Sequence, residues 1–287
     1  YEAVNNHTGE KAALRCTTDI EVVHYPVKHF DEVDIDLDVA TKFNFLTVAQ
    51  WGPRKNLENT LNWFTEEFID NPDVGLIVKT FAKGGSLLDR NAAVARLTHV
   101  LSKYKNRKCK IYLLHGDFTD QEMHSLYKNK NVHCLVSLTH GEGFGLPLFE
   151  AAYSGLPVMA PDWSGHVDFL YKPVKGKKGG AMKNKAHFAR VDYDLQPVQE
   201  EAHWEGVVQP DSMWCYPQQG SFKMKLREMS KDYGRFKKQA KDLQKYLLKT
   251  FTFENQSKKV IDSIVSKDEF EISDWLQQLE SEVQVHS

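Results

Sequence analysis

From Phe43 onward, short apolar runs alternate with stretches whose apolar residues recur at helical spacing. Residues 43–49 predict a strand and 57–69 a helix, followed by strand 75–81, helix 91–104, strand 109–115 and helix 120–127. Strand 132–138, helix 147–153 and strand 156–160 complete the series. Strands that read as unbroken Val/Ile/Leu runs are covered on both faces, which is the mark of a parallel sheet built from βαβ units. Right-handed crossovers between them give an α/β fold with a doubly wound parallel sheet.

The flanks read differently. Residues 1–42 are polar, apart from a β-like stretch over 20–27 and an acidic run after it. Residues 171–220 predict irregular chain, with Lys172, Lys175, Lys177, Lys178, Lys183 and Lys185 around Gly176, Gly179 and Gly180. After Ser221 the pattern turns helical, with Phe222, Leu226, Met229, Tyr233, Phe236, Ala240, Leu243 and Leu247 near a 3.6 period. Helices over 254–264 and 272–283 follow, and there are no internal repeats. The expected segments are therefore 1–42, 43–220 and 221–287.

Composition narrows the class. At about 150 residues per domain, 287 residues suggest one large domain or two. With 37 Lys+Arg against 39 Asp+Glu, the formal charge of −2 gives no global pull toward nucleic acid or an acidic membrane. No apolar run approaches the length of a spanning helix, and no basic-then-apolar leader opens the chain. It begins at Tyr1 rather than a methionine, as expected if upstream residues were removed. Cys16, Cys109, Cys134 and Cys215 are scattered without a CxxC pair, so a reducing, cytoplasmic setting is expected.

The most informative stretch is His140-Gly141-Glu142-Gly143-Phe144-Gly145-Leu146-Pro147-Leu148-Phe149-Glu150. It follows a predicted strand and leads into a predicted helix with Pro147 at its first position, where the missing amide hydrogen costs nothing. The turn delivers a helix N-terminus to the carboxyl edge of the sheet, where open α/β folds hold ligands. Unpaired amides and the helix dipole favour an anion there, by about 0.3–1 kcal/mol and up to ~2 in a partly buried site. Gly143 and Gly145 let that anion approach the backbone. Glu142 in the loop and Glu150 about one turn into the helix are expected to face the same crevice. Carboxylates suit a hydroxyl-rich ligand, because an ionised acid only accepts hydrogen bonds and each hydroxyl can donate one. Either feature alone is equally well a plain turn or an acid favouring the helix dipole; together they point to a site.

Two other motifs are set aside. Gly141-x-Gly143-x-Gly145 approaches the dinucleotide fingerprint, with Asp162 about twenty residues on, but the sixth position is Leu146 rather than glycine. Asp34-Ile35-Asp36-Leu37-Asp38 contains an Asp-x-Asp pair of the kind that holds a divalent metal, yet it lies in a polar segment before the first sheet strand and reads as solvated linker. A second turn at the carboxyl edge, Val48-Ala49-Gln50-Trp51-Gly52-Pro53-Arg54-Lys55-Asn56, supplies cations instead. Arg54 offers a fork for phosphate oxygens and Lys55 a point charge.

The run from Glu142 to Glu150, Glu-Gly-Phe-Gly-Leu-Pro-x-x-Glu, continued by Ala151, resembles the signature of retaining nucleotide-sugar glycosyltransferases with the two-domain GT-B fold. More narrowly it is similar to family 4, also called group 1. Pro53-Arg54-Lys55-Asn56, Ala151-Ala152-Tyr153-Ser154-Gly155-Leu156-Pro157-Val158 and Trp163-Ser164-Gly165-His166-Val167-Asp168-Phe169-Leu170 match further segments. The resemblance covers about 20–170 well and the helices to about 264 loosely.

The resemblance implies a Rossmann-like, C-terminal donor domain with a helical extension. The activity implied is retaining transfer of a hexosyl group from a nucleoside-diphosphate sugar to an acceptor hydroxyl. Arg54 and Lys55 would hold the donor diphosphate, helped by backbone amides of Gly143, Phe144 and Gly145 and by the helix start at Leu146. Glu142 would touch sugar hydroxyls and, with Arg54 and Lys55, make up the catalytic group; Glu150 would bind the ribose. The loop with Gly116 and Asp117 would border the base, and Lys79 would add a cation or simply snorkel. The family often has Gly-Arg after the first strand where this chain has Ala49-Gln50, which leaves the arginine duty to Arg54. No metal or cofactor is implied beyond the donor itself. The expected partners are a nucleotide sugar, an acceptor glycan, lipid or other hydroxyl compound, and an acceptor-binding N-terminal domain largely missing from this sequence; nucleic acid is not expected. A C-terminal helix near 254–264 would then carry apolar surface lacking its partner.

Competing readings are a non-catalytic nucleotide-sugar-binding module, a sugar-nucleotide epimerase of the same architecture, and a phosphorylase. The Glu142…Glu150 signature argues against the epimerase, and no cofactor-lysine motif supports the phosphorylase. The lysine-rich stretch 172–185 reads as a solvated loop, with steering of a phosphorylated acceptor, an anionic lipid or nucleic acid as the alternative. The sequons at Asn6 and Asn255 are of the frequency expected by chance.

Overall fold

The computed structural model describes residues 2–4, 8, 11–13, 17–18, 20–176 and 180–264. The expected helix over 272–283, Lys177, Lys178, Cys16 and the sequon asparagine Asn6 lie outside the described residues. The chain forms two compact units, Tyr1–Pro26 with Phe251–Ser287, and Val27–Thr250. These are drawn differently from the expected segments, since the helices after Ser221 belong with the sheet as far as Thr250.

In the first unit, β1 (Glu2–Val4) and β2 (Lys11–Ala13) pair antiparallel, with Glu2 opposite Ala13. The β-like stretch over 20–27 forms no strand. Ile20, Val22 and Tyr25 in it stay exposed.

The second unit is an α/β domain. Its first half runs β3 (Phe43–Gln50), α1 (Leu57–Glu67), β4 (Val74–Phe81), α2 (Leu87–Leu101), β5 (Lys110–Leu114) and α3 (Asp120–Lys128). Then come β6 (Cys134–Val136), α4 (Leu146–Tyr153), β7 (Val158–Pro161), α5 (Val167–Leu170), β8 (Tyr171–Lys175), β9 (Met182–Ala186) and β10 (Ala189–Val191). The series closes with β11 (Tyr193–Pro197), β12 (Met213–Pro217), α6 (Gln219–Lys231) and α7 (Tyr233–Thr250). The central sheet has the order β10-β7-β6-β3-β4-β5, and all five neighbour pairs are parallel. Phe45, Leu46, Leu76 and Val78 are fully buried, as strands covered on both faces require. From β3 the chain builds outward through β4 to β5, then returns to lay β6 on the other side of β3. The switch point is thus between β3 and β6, and a crevice opens beyond their carboxyl ends.

Several boundaries move for physical reasons. Helix α2 starts four residues before the expected Asn91, because Ser86 caps it by accepting a hydrogen bond from the Asp89 amide at 3.2 Å. Its first residues, Leu87 and Leu88, are exposed, so their hydrophobicity does not report the core. Helix α3 starts where expected, with Thr119 and Glu122 forming a reciprocal capping box. Residues 171–217, expected to be irregular, hold two antiparallel hairpins, β8–β9 and β11–β12, and the edge strand β10. Lys172 stands opposite Lys185 in the first hairpin, which is why no apolar alternation advertised it. The helical pattern after Ser221 breaks at Asp232 into α6, which packs on α1, and α7, which packs on α4.

Residues 27–40 are not a detached linker. They lie as a strap along α3: Lys28 pairs with Asp120 at 2.8 Å, the Val33 amide donates to Ser125 Oγ at 2.9 Å, and Asn129 Nδ2 donates to the Ile35 carbonyl at 2.8 Å. Asp34, Asp36 and Asp38 are exposed along it while Leu37 turns inward, as solvated acids would be. The last described element is α8 (Phe253–Ile264) in the first unit, which leaves Phe253, Val260, Ile261 and Ile264 exposed.

Candidate functional site

The two turns singled out above meet at the switch point. After β3, Pro53–Lys55 makes a single 3-10 turn, ended by Asn56 in the left-handed region at φ 52°. The buried Asn56 donates through Nδ2 to the Leu138 carbonyl at 3.1 Å, and the His140 amide donates to the Arg54 carbonyl at 2.8 Å. These bonds stitch the β3 turn to the chain leaving β6. Lys55 Nζ lies 2.6 Å from Glu142 Oε1, and Arg54 Nη1 lies 3.2 Å from Glu142 Oε2 and 2.6 Å from the Gly141 carbonyl. The Glu142 side chain is only 8% exposed, against 18% for Lys55 and 47% for Arg54. Burial works to raise the Glu142 pKa. The Lys55 charge and hydrogen bond, with Arg54, outweigh it and hold the carboxyl below its ordinary range.

The glycine-rich turn is held from its other side by Trp163-Ser164-Gly165. Ser164 takes a positive φ of 83° so that its Oγ accepts from the Glu142 amide at 2.9 Å and donates to the Glu142 carbonyl at 2.7 Å. The Gly165 amide donates to the same carbonyl at 3.1 Å. A Cβ on Gly165 would lie 2.7 Å from the Gly143 carbonyl carbon, so only glycine fits there. Gly145 caps α4 at φ 90°, a conformation that glycine adopts without strain. Helix α4 begins at Leu146, which puts Pro147 second rather than first; the first four amides of a helix lack partners, so the proline is equally harmless. The Phe144 ring packs inward against Phe149 and Phe169, with centroids 5.1 and 5.0 Å away, and anchors the turn to the core.

Glu150 engages a different set of groups from Glu142. Tyr127 on α3 donates to Glu150 Oε2 at 3.2 Å. Burial pushes the Glu150 pKa up, the Tyr127 hydrogen bond opposes this, and the Asp120 charge adds to it. The two acids frame α4, but Glu142 closes on the β3 turn while Glu150 closes on α3.

At the ends of β4 and β5, Lys79 donates to the Gly116 carbonyl and its ammonium sits 4.5 Å from the centre of the Phe118 ring. Burial lowers its pKa. Gly116 needs its positive φ of 118° for the turn, and Asp117 packs against Gly85. Beside them is a buried pair that sequence reasoning missed. His115 Nε2 lies 2.9 Å from Asp89 Oδ2, and Asp89 also accepts from the amides of Ala82 at 3.0 Å and Lys83 at 2.7 Å. The His115 hydrogen bond and the two amides bring the Asp89 pKa down to about 2.

His140 was also missed as a packing residue. Its Nδ1 donates to the Cys215 carbonyl at 2.5 Å, the Cys215 amide donates back to the His140 carbonyl at 3.1 Å, and its ring stacks on Trp214 with centroids 4.8 Å apart. The signature turn is thereby tied to β12. Asp162, the acid that a dinucleotide reading would need, accepts both from Tyr171 at 2.8 Å and from Arg190 at 3.1 Å. Among the described residues no group of three or more His, Cys, Asp or Glu is placed to hold a metal ion, and no helix is long and apolar enough to cross a membrane.

Comparison with known proteins agrees with this architecture. Residues 36–177 match the family model described as glycosyl transferases group 1. No curated protein matches the chain. Among solved structures it is similar to an apo structure of OtsA, at 10% identity and a TM-score of 0.51 over 79% of this chain and 45% of that one. It is similar to a trehalose-6-phosphate structure from E. coli bound with UDP-2-fluoro glucose, at 9% identity and a TM-score of 0.50 over 77% and 44%. The C-terminal domain of LpcC, a glycosyl transferase group 1 family protein from Francisella tularensis, aligns at 16% identity and a TM-score of 0.48 over 74% and 88%. The chain therefore spans less than half the length of the first two proteins and most of an isolated C-terminal domain. At these identities the likeness concerns the fold, a GT-B Rossmann-like domain with C-terminal helices. Through residues 36–177 the chain is similar to the glycosyl transferases group 1 family.

Proposed function

We propose that this chain is the donor-binding part of a retaining glycosyltransferase and holds a nucleoside-diphosphate sugar in the crevice between the carboxyl ends of β3 and β6. The observation that carries this reading is the convergence of Arg54, Lys55 and the glycine-rich start of α4 on Glu142. Both cations are paired with that one carboxylate, which leaves the cluster a net positive charge. A diphosphate would compete for them and release Glu142 to accept from sugar hydroxyls. As the bond from the sugar carbon to the leaving phosphate breaks, charge grows on the diphosphate. Lys55, Arg54 and the α4 N-terminus are fixed beforehand to receive it, which is the largest kind of catalytic contribution. The acceptor oxygen then bonds to the same carbon on the same face, and the leaving phosphate takes its proton. No step calls for a metal ion.

Glu150 on α4 is assigned to the ribose, and the Gly116-Asp117 turn with Lys79 to the border of the base. The family match over residues 36–177 supports transfer as the class of reaction, and the UDP-2-fluoro glucose in the E. coli structure named above supports a nucleotide sugar as donor. The buried free thiols Cys109, Cys134 and Cys215 support a reducing, cytoplasmic compartment. Product analysis tests the reading. Incubation of the protein with labelled nucleotide sugars and a panel of hydroxyl acceptors should give a glycoside whose anomeric configuration, read by NMR, equals that of the donor. An inverted product, or an isomerised donor formed without acceptor, would overturn it.

A further inference from the structure

A second polar cavity adjoins the cation turn. It has a volume of about 510 Å³, within the range of about 300–1,000 Å³ usual for small-molecule sites. Its floor is the turn after β3 and the first turn of α1, through Trp51, Glu58 and Asn59; α2 forms one wall through Arg96. Its roof is the loop between β11 and β12, where Gln199 and Glu201 flank and enter a 3-10 turn. That roof lies outside the residues matched by the family model, which end at 177.

The lining has unusual spare capacity. Glu58, Glu201 and Arg96 make no ion pair or side-chain hydrogen bond among the described residues, so two carboxylates and a guanidinium share one cavity without neutralising each other. Asn59 spends one amide hydrogen on Asn56 at 2.8 Å and keeps its carbonyl oxygen. Gln199 accepts from Tyr216 at 3.2 Å and keeps its amide hydrogens. The half-buried Trp51 indole, with the Arg96 guanidinium 5.9 Å from its centre, supplies apolar wall.

Three ligand chemistries can be weighed against that set. An anion would meet two carboxylates here, while two cations stand on the other side of Pro53. A simple cation would meet Arg96. A neutral, hydroxyl-rich ligand satisfies every group: the carboxylates and the Asn59 oxygen accept from hydroxyls, whereas Arg96 and the Gln199 amide donate to hydroxyl or ring oxygens.

We propose that this cavity binds a neutral carbohydrate. Gly52 and Pro53 line it and the next two residues are Arg54 and Lys55, so it adjoins the cation turn. The carbohydrate site does not rest on the donor reading above.

The test is a glycan array carrying neutral, sialylated and phosphorylated glycans, probed with the labelled full chain, its Glu58→Gln/Glu201→Gln variant and its Lys55→Met variant. Titration with nucleoside diphosphates runs in parallel, and circular dichroism checks the fold of each variant. The wild type should retain neutral glycans. The double variant should bind them at least tenfold more weakly with nucleotide binding unchanged, because both substituted acids are exposed and outside the donor crevice. Lys55→Met should keep the glycans and lose the nucleotide. Retention of no neutral glycan, of charged glycans alone, or of neutral glycans equally by the double variant would overturn the proposal. Glycan binding without any nucleotide binding would overturn the donor reading and leave the carbohydrate site standing.

Discussion

Lys55→Met is the sharpest perturbation of the paired turns. It removes the ammonium 2.6 Å from Glu142 and leaves a side chain of similar length to fill the space. Breaking a buried ion pair so that one charge is stranded costs about 3–5 kcal/mol. Here Glu142 keeps Arg54 at 3.2 Å, but that side chain is 47% exposed and its attraction is screened, so roughly half of that cost, about 1.5–2.5 kcal/mol, is expected. In a unit of this size about 2–4 °C of midpoint accompanies each kcal/mol, which gives a fall of about 3–10 °C. The pH dependence has a definite sign. Because the folded Glu142 carboxyl titrates below its unfolded value of 4.5, its stabilising contribution is present above that value and is lost as the pH falls through the folded pKa. The gap between wild type and Lys55→Met should therefore be widest near neutral pH and close in acid. Thermal unfolding at pH 7 and at pH 3.5, followed by circular dichroism, measures both. Adding Glu142→Gln to Lys55→Met should recover most of the loss, since no charge remains to be stranded. A single variant within about 0.5 kcal/mol of wild type at pH 7, or a double variant no better than the single, would refute the reasoning.

Other consequences follow from the same geometry. Glu150→Gln keeps an oxygen for Tyr127 and removes a carboxyl whose pKa burial has raised, so it should raise the unfolding midpoint at pH 7, with the gain disappearing below the unfolded value of 4.5. Asp89→Asn should lower the midpoint at pH 7. In the wild type the stability tied to Asp89 is present above 3.8 and is lost as the pH falls toward about 2, so the variant should show a flatter acid limb in a pH series of melts. Gly165→Ala drives a methyl into the Gly143 carbonyl and should cost about 1–3 kcal/mol in denaturant titrations while also displacing the loop that carries Glu142.

Much of the fold was legible because its central strands are buried on both faces. Phe43–Gln50 and Val74–Phe81 read as continuous apolar runs, and no other element type suits such a run between helical patterns. The short strand Cys134–Val136 lay inside a longer apolar run, and hydrophobicity does not mark where pairing to β3 and β7 stops. The β8–β9 hairpin was illegible because lysines occupy both sides of a pair and nothing alternates. For the site, the sequence named both turns but not their union. Lys55 and Glu142 are 87 residues apart, and their contact depends on β6 returning to the side of β3, a fact of topology rather than of pattern. Glu150 was expected to face the crevice with Glu142; its partner Tyr127 is a buried residue of α3 whose hydroxyl had no signal of its own. Asp89 fell before the expected helix start at 91; the Ser86 cap three residues earlier fixes where its helix starts and brings its carboxylate to the Ala82 and Lys83 amides.

The central claim is that Arg54, Lys55 and the α4 N-terminus hold a donor diphosphate. Calorimetric titration of the chain with a panel of nucleoside diphosphates and their sugars, repeated on Lys55→Met at a temperature where both are folded, addresses it directly. A charge-assisted hydrogen bond contributes about 1.5–3 kcal/mol, so the account predicts saturable binding of one nucleotide, weakened by about 10- to 150-fold in the variant. Absence of binding by every nucleotide, or binding that Lys55→Met leaves unchanged, would contradict it.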